Sequence, residues 1–285
     1  MLYTVLIASL AATVSADCSR DFLKSATDAY VAAQSSGKPG NFSTFTTQDV
    51  VITENNNGTS TNSSLMATPI KLDFNRSFHD TVQCATFTEL IAASNPHPFV
   101  IHTRMTFSNQ KATLIESIVT DAGDWLFNAT GTLNLVTPED WSPIPTEKQN
   151  TRAVIQSVGD AYFNRFGNTS VVVPWGPPCV RVEGGLAAKG NLTGDDCIQE
   201  WPSTIKMPYR RYVVDEEYGV VDIFTGFPGL DRTQGDAPMP DSHLFRVENG
   251  KIKFLHTASA CVVSGCGLNG TFGGSFTRRR VPVHF

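Results

Sequence analysis

The sequence predicts an α+β fold, from an amphipathic helix, two β-hairpins that follow it, and a second occurrence of this order along the chain. The helix is Thr151–Phe166, where Val154, Ile155 and Val158 follow helical spacing. In the first hairpin, the β-rich runs Tyr209–Val214 and Gly219–Phe224 flank an acidic connection. The C-terminal half is therefore expected to begin with a helix that packs on an antiparallel sheet.

The second hairpin has the stronger turn signal. Its strands are Ser242–Val247 and Lys251–Thr257, and they meet at Asn249-Gly250. Asn-Gly favours a type I′ turn because both central residues of that turn need positive φ. Counting outward from the turn places Glu248 opposite Lys251 and His243 opposite His256. The four strands together predict a continuous antiparallel sheet.

The N-terminus predicts export. Residues 1–16 are expected to be a signal peptide, because a short apolar run ends in the small residues Val14-Ser15-Ala16. The mature chain would start near Asp17. Eight N-glycosylation motifs agree with secretion, and they lie at Asn41, Asn57, Asn62, Asn75, Asn128, Asn168, Asn191 and Asn269.

Six cysteines form an even set in the mature chain, and their spacing matches no zinc motif, so disulfides are predicted. Several connectivities are open to six cysteines. The pairing that we predict is Cys18–Cys84, Cys179–Cys197 and Cys261–Cys266, with each bridge within one half of the chain.

Composition limits the partners. With 285 residues, 41% of them hydrophobic, the chain can hold one large domain or two modest ones. The net charge of −5 and the confinement of basic clustering to Arg278–Arg280 predict no nucleic acid or membrane partner. No later stretch reaches the roughly 20 apolar residues of a spanning helix.

An internal repeat predicts two domains. Asp28-Ala29-Tyr30 and Asp160-Ala161-Tyr162 each lie in a predicted helix with β-runs after it. The expected layout is a first domain at 17–136, a proline-rich linker at 137–150, a second domain at 151–260 and an irregular tail at 261–285. The first copy is expected to be degenerate, because Asp124–Leu135 keeps only a shortened last hairpin. Aligning Pro98–Thr120 with Pro208–Thr225 puts Arg104 on Arg211 and Glu116 on Asp222.

This order of elements resembles the nuclear transport factor 2-like (NTF2-like) superfamily, which includes SnoaL-like and ketosteroid isomerase-like proteins, and in particular its secreted fungal members. The resemblance implies two cone-shaped α+β domains, each a curved antiparallel sheet wrapped around helices with a pocket inside. It also implies a small-molecule substrate or ligand, and packing either as a homodimer or as a pseudo-dimer within one chain.

Asp222 is the first candidate catalytic residue. It shares a strand face with Val220 and Phe224, so its carboxyl is expected to have a raised pKa or to pair with a cation such as Arg211. One interpretation is a general base in a pocket. The alternative is a structural ion pair. Glu116 with Arg104 repeats the arrangement in the first half and is predicted to contact substrate.

His243 and His256 are the second candidates, as a proton relay across the hairpin or as a local packing pair. No third ligand is spaced for a metal, so no metal is predicted. Tyr212 is a candidate hydroxyl donor to an oxyanion, with a packing role as the alternative. Trp201 and Phe224 are predicted to form walls of the pocket or parts of the core.

The function predicted on this basis is a secreted isomerase, cyclase or lyase without a cofactor. It would act on a small organic molecule of secondary-metabolite type by abstracting a proton next to a carbonyl. The alternative is a non-catalytic secreted protein that binds a small molecule or faces a host. Nucleotide-binding loops, HExxH and GxSxG are absent, so those chemistries have no support in the sequence.

Overall fold

The computed structural model describes residues 18–190, 197, 205–207, 209–228, 238–262 and 266. The predicted signal peptide, Trp201, two glycosylation motifs (Asn191 and Asn269) and most of the predicted tail lie outside the described residues. The α-helices are α1 Arg20–Ser36, α2 Ala129–Val136 and α3 Arg152–Arg165. The strands of the first half are β1 Thr46–Glu54, β2 Asn57–Thr59, β3 Phe74–Asp80, β4 Ala85–Ala92, β5 Phe99–Ser108 and β6 Lys111–Thr120. Those of the second half are β7 Trp175–Glu183, β8 Leu186–Gly190, β9 Arg211–Asp215, β10 Val220–Phe227, β11 Met239–Glu248 and β12 Lys251–Ser259.

The strands form two six-stranded sheets with the same order. The first runs β2-β1-β6-β5-β4-β3 and the second runs β8-β7-β12-β11-β10-β9. Neighbours are antiparallel except β1 with β6 and β7 with β12, which are parallel. The predicted fold class, α+β with two domains that each combine one sheet with helices, is confirmed, but each sheet is mixed and not wholly antiparallel as expected.

One long helix covers one face of each sheet. Ser19 caps α1 by accepting from the amide of Phe22, and Thr151 caps α3 by accepting from that of Val154. Tyr30 on α1 and Tyr162 on α3 are fully buried at equivalent places in the two cores. We call the helix-covered face of each sheet its inner face, and a residue's side chain reaches that face at every second position along a strand.

The other faces of the two sheets pack against each other, and we call the layer between them the seam. Its apolar part combines side chains of both sheets and of the segment before α3: Phe78, Ala85, Phe87, Ile118, Trp141, Val213, Val220, Phe224, Leu244, Ala258 and Ala260. The two domains therefore share a continuous hydrophobic layer.

Two reciprocal ion pairs fasten the seam. Arg20, the first residue of α1, makes two hydrogen bonds of 2.8 and 2.9 Å to Asp215 in the second sheet. Arg152, the first residue of α3, makes two of 2.6 and 2.7 Å to Asp80 in the first sheet. Asp80 and Asp215 end equivalent strands and both are buried. Each domain thus holds the helix start of the other through a two-point guanidinium–carboxylate contact.

The prediction that the first copy is degenerate was wrong. Its sheet is complete, because β3 and β4 form a hairpin that was not among the predicted strands. The segment Asp124–Leu135 contains most of helix α2 instead of a hairpin, and Asn128 caps that helix by accepting from the amide of Gly131.

The predicted alignment of the halves was also wrong. Because β3 and β4 exist, Phe99–Ser108 corresponds to β11, and the equivalent of Arg211 in the first sheet is Arg76. By the same register, Glu116 corresponds to His256 and Phe87 corresponds to Asp222.

The predicted disulfide pairing is confirmed, with Cα–Cα distances of 5.3 Å for Cys18–Cys84, 6.3 Å for Cys179–Cys197 and 5.8 Å for Cys261–Cys266. Disulfides persist in oxidising compartments. Within the described ranges, no helix has the length and apolar character needed to cross a membrane.

Candidate functional site

The inner face of the second sheet carries a histidine and an aspartate side by side. His243 and Asp241 lie two residues apart on β11, so both point to this face. Nδ1 of His243 is 3.0 Å from Oδ2 of Asp241, although the two atoms lack the alignment of a hydrogen bond. Oδ1 of Asp241 accepts from the hydroxyl of Ser259 on β12. The Asp241 carboxylate is therefore held by Ser259 through Oδ1 and faces the imidazole of His243 through Oδ2.

A buried arginine lies on the same inner face. Arg181 on β7 donates to the hydroxyl of Tyr162 at 3.2 Å and to Glu183 at 2.8 Å. Burial alone would lower the pKa of Arg181, but Glu183 and Tyr162 outweigh it and raise the pKa, so the guanidinium stays charged. Its Nε atom is buried and has no hydrogen-bond partner among the described residues.

The first domain contributes to this second-domain cluster. Trp125, in the loop after β6, donates its indole N–H to Glu183 at 3.0 Å. Burial alone would raise the pKa of Glu183, but Arg181, His243 and the Trp125 bond lower it below its ordinary value. Burial also raises the pKa of Tyr162, which keeps its phenol neutral. The cluster is therefore a set of charged groups inside an apolar domain.

Aromatic rings enclose His243. Its ring centroid is 4.8 Å from that of Phe163, 5.2 Å from that of Tyr162 and 6.1 Å from that of Phe245. The imidazole is 4% exposed. It therefore lies in a mostly apolar setting where charge interactions are stronger than in water.

A second set of titratable groups lies in the seam. His256 contacts Glu89 at 2.9 Å through Nδ1 and Glu139 at 2.7 Å through Nε2. Burial alone would lower the pKa of His256, but these two carboxylates raise it to about 9. Burial alone would raise the pKa of Glu89, but His256, His102 and Arg76 hold it well below its ordinary value. These groups are paired ions that join the two sheets.

Asp222 belongs to the seam and not to an inner face. The structure confirms that it shares a face with Val220 and Phe224, but the other domain covers that face. Its Oδ1 accepts from Ser242, which in turn contacts His102 of the first sheet at 2.9 Å. Burial raises the pKa of Asp222 well above its ordinary value, because the charged carboxylate is desolvated in the seam.

Arg211 does not pair with Asp222, contrary to the prediction. Its Nε lies 3.0 Å from Oε2 of Glu116, and Arg104 reaches the other oxygen of Glu116 at 2.7 Å. The two arginines come from different sheets and share one carboxylate, because Arg104 and Glu116 are opposed on β5 and β6 and the edge of β9 approaches them across the seam.

The predicted pairing of His243 with His256 was wrong as well. A β-bulge at Arg246/Val247 shifts the register by one residue, so His243 faces Thr257 and His256 faces Leu244. Such a slip turns the side chains beyond it to the opposite face. His243 consequently points into the second domain and His256 points into the seam.

The remaining predicted residues lie apart. The hydroxyl of Tyr212 donates to Asp160 on α3 at 2.8 Å, and Phe224 is buried in the seam. Trp201 is outside the described residues. Of the candidates within the described residues, His243 and Tyr212 are on the inner face of the second sheet, and His243 alone lies beside Asp241.

Sequence reasoning missed Asp241, Arg181, Glu183 and Tyr162 as a set. One signal was available, since Asp241 directly precedes the predicted strand Ser242–Val247, and residues two apart share a face if the strand begins earlier, as it does here at Met239. The contribution of Arg181 and Trp125 depends on strand order and on a loop from the other domain, which no local pattern encodes.

Comparisons with known proteins give little further information. A family model described as a domain of unknown function (DUF8021) matches residues 148–259. No curated protein matches the chain. One similar structure is an NTF-2 like protein of unknown function from Burkholderia xenovorans LB400, with 15% identity, a TM-score of 0.29, and coverage of 42% of this chain and 96% of that one. Another is AclR, a proposed hydroxylase from Streptomyces galilaeus, with 13% identity, a TM-score of 0.27, and coverage of 36% and 91%.

Proposed function

We propose that the second domain of this chain is a cofactor-independent isomerase, cyclase or lyase for a small organic substrate, with His243 as its general base. The observation that carries the proposal is the 3.0 Å approach of Asp241 to the imidazole on the inner face of the sheet. A histidine held beside a carboxylate is suited to proton transfer near neutral pH. Asp222, which the sequence suggested as the base, has a seam role in this proposal.

The reaction begins at a carbon next to a carbonyl. Nε2 of His243 takes the proton, the C–H electron pair moves to form an enolate, and Asp241 stabilises the imidazolium across Nδ1. The buried N–H of Arg181 stabilises the charge that develops on the carbonyl oxygen. Return of the proton to another carbon gives an isomer, and expulsion of a leaving group gives the product of a lyase. Misalignment of the His243–Asp241 pair without substrate is common for catalytic hydrogen bonds.

We also propose that the protein is secreted. Three disulfides support this, because such bridges are rare in reducing compartments. The asparagines of the six glycosylation motifs within the described residues are all exposed. Their accessibility supports modification during export.

The test uses deletion of the gene in its source organism, comparison of its secreted small molecules, and complementation. Wild type should restore the missing compound, whereas His243→Gln should not. Thr103→Ala is a matched control, because Thr103 occupies the equivalent position in the first sheet. It should restore the compound fully. Restoration by a folded His243→Gln protein would overturn the catalytic role.

A non-catalytic binding protein is the second candidate, and the aromatic enclosure of His243 favours it, since aromatic walls suit apolar ligands. It predicts that His243→Gln and wild type restore the same metabolite profile while Phe163→Ala alters ligand retention. The same complementation series therefore separates the two functions.

A further inference from the structure

The loop between β6 and α2, at residues 121–128, is where the first domain reaches the charged cluster of the second. The indole N–H of Trp125 in this loop donates to Oε2 of Glu183 at 3.0 Å. The other carboxylate oxygen of Glu183 accepts from Nη1 of Arg181 at 2.8 Å. Hydrogen bonds to an ionised group fix its direction as well as its charge. The indole therefore holds the carboxylate that in turn orients the guanidinium of Arg181.

Trp125 also reaches the carboxylate beside His243. Its backbone N–H donates to the carbonyl oxygen of Ser259 at 3.3 Å. The hydroxyl of Ser259 in turn donates to Asp241, whose second oxygen faces the imidazole. One residue of the first domain is thus connected, through a single intermediate residue each time, to the guanidinium and to the carboxylate that the proposed reaction uses.

The loop is packed closely on the turn between β7 and β8. A Cβ atom at Gly184 would lie 2.2 Å from the carbonyl oxygen of Trp125, and one at Gly185 would lie 2.2 Å from that of Asn128. Leu126 is fully buried with a φ of 48°, a left-handed conformation that is costly for leucine and persists only where the surroundings enforce it. The contact between the domains therefore sets the position of Trp125 relative to the cluster.

The first domain holds its equivalent carboxylate in a different way. Glu54 occupies the position of Glu183, and it accepts from the amide of Leu65, a residue of its own domain, at 2.6 Å. Glu183 instead takes a donor from the other domain. The carboxylate that is held from outside its domain is thus the one that pairs with a buried guanidinium.

We propose that Trp125 is a positioning residue for the second-domain site, so that the first domain completes this site through the loop at residues 121–128. The role rests on the function proposed for His243, because it concerns the groups that assist proton transfer there. Trp125 acts through Glu183 on the guanidinium of Arg181 and exchanges no proton with the substrate. Folding of the second domain is then not sufficient for activity, because its guanidinium also needs the indole of the other domain.

The test compares Trp125→Phe with Trp141→Phe in the purified full chain. Trp141 is a matched control, because its indole N–H also donates to a buried carboxylate, that of Glu139 at 2.8 Å, but in the seam. The first measurement is NMR hydrogen exchange of the Arg181 side-chain N–H groups, whose signals Arg181→Lys identifies by their loss. Trp125→Phe should accelerate this exchange about tenfold, since the ion pair loses a hydrogen bond that holds it. Trp141→Phe should change it less than about twofold.

The second measurement is restoration of the missing compound by the same two variants. Trp125→Phe should restore about a fifth of the wild-type amount or less, because a displaced guanidinium stabilises the developing charge poorly. Trp141→Phe should restore it fully. Circular dichroism checks that both proteins fold.

Arg181→Lys gives a reciprocal test that leaves the loop unchanged and so remains available if Trp125→Phe does not fold. Because the indole and the guanidinium share Glu183, this variant should shift the NMR signal of the Trp125 indole N–H and leave that of Trp141 in place. An unmoved Trp125 signal would overturn the positioning role.

The outcomes separate this proposal from the proposed function. Equal Arg181 exchange in wild type and Trp125→Phe, or equal acceleration by both tryptophan variants, contradicts the positioning role even when His243 is the base. Full restoration of the compound by Trp125→Phe, where His243→Gln restores none, contradicts it as well. If His243→Gln itself restores the compound, the proposed function fails, and the exchange of Arg181 alone decides whether Trp125 holds the guanidinium.

Discussion

The two domains share a topology but differ in what their inner faces contain. Equivalent strand positions hold Ile52, Ile101 and Thr103 in the first domain, and Arg181, Asp241 and His243 in the second. In the first domain the hydroxyl of Tyr30 bonds to the neutral hydroxyl of Thr103 at 2.7 Å, and Glu54 occupies the position of Glu183. In the second, the equivalent Tyr162 contacts a guanidinium.

The difference between the two inner faces shows which residues the fold needs and which it does not. A charged group inside a domain is costly unless it is paired, and the first domain shows that the same framework folds with isoleucine at two of the three positions. The charges of the second domain are thus additions to a scaffold that does not need them, and we interpret them as functional.

The largest expected effect comes from the reciprocal ion pairs of the seam. Asp80→Ala should lower the free energy of unfolding by about 4 kcal/mol and Asp215→Ala by about 3 kcal/mol. Asp80 loses more because it accepts from Arg152 and from the amides of Val82, Gln83 and Val214. Arg20, the partner of Asp215, keeps Glu217 at 2.9 Å.

Urea denaturation of both variants measures this difference. Arg20→Lys and Arg152→Lys serve as milder controls, since each keeps the charge and loses the two-point contact. Equal losses for Asp80→Ala and Asp215→Ala would show that the two sides of the seam are energetically alike.

The second prediction concerns pH and position 256, where the first sheet has Glu116. The pKa of His256 is raised to about 9 in the folded protein, against 6.5 for an ordinary histidine. Its charge therefore stabilises the protein fully below about pH 6.5, and that stability is lost as the pH rises through about 9. The loss should be about 3 kcal/mol.

Denaturation curves between pH 6 and 10 check this sign. His256→Gln should lack the alkaline loss that wild type shows over that window. Parallel pH dependences in the two proteins would mean that His256 is not charged in the seam.

The third prediction compares the two buried tyrosines. Tyr30→Phe and Tyr162→Phe should each cost about 1 kcal/mol of stability, because each removes a buried hydrogen bond. Only Tyr162→Phe should also lower the activity that complementation measures, since Tyr162 positions Arg181. An equal loss of activity in Tyr30→Phe would break the contrast between the domains.

The smallest effect is expected at Asp222, whose equivalent in the first sheet is Phe87. Burial raises its pKa well above the ordinary value, so the fold favours the neutral carboxyl. Asp222→Asn is nearly isosteric with that neutral form, and the free energy of unfolding should change by less than about 0.5 kcal/mol. A loss of several kcal/mol in calorimetry would show an ionised Asp222.

Much of the fold could be predicted from local pattern. Asn249 and Gly250 have φ of 52° and 71°, as the type I′ turn required, and strands β9–β12 are in the predicted order. Confining each bridge to one half of the chain requires Cys18–Cys84, but it leaves three pairings for the four cysteines of the second half. The hairpin of β3 and β4 was missed because β3 contains Asn75, Arg76, His79 and Asp80 and is too polar to look like a strand.

The site was harder to predict for physical reasons. Alternation tells which residues share a face, but not whether that face meets a helix or another sheet. The alternation of Asp222 with Val220 and Phe224 is compatible with a face under a helix and with a face against another sheet. The packing of the second sheet on the first places it in the seam. The bulge at Arg246/Val247 has no signal in the sequence, yet it separates His243 from His256.

The reciprocal arginines have a consequence for how the two halves can evolve. In a pair of identical subunits, symmetry repeats each residue on both sides of the contact, so a substitution is always made twice. Here each half is encoded separately, and an acid can face a base without its mirror image, as Glu116 and His256 show at matching positions. Because the two halves are covalently linked, their association does not depend on protein concentration. One half can therefore serve as structural support while the other acquires a separate function.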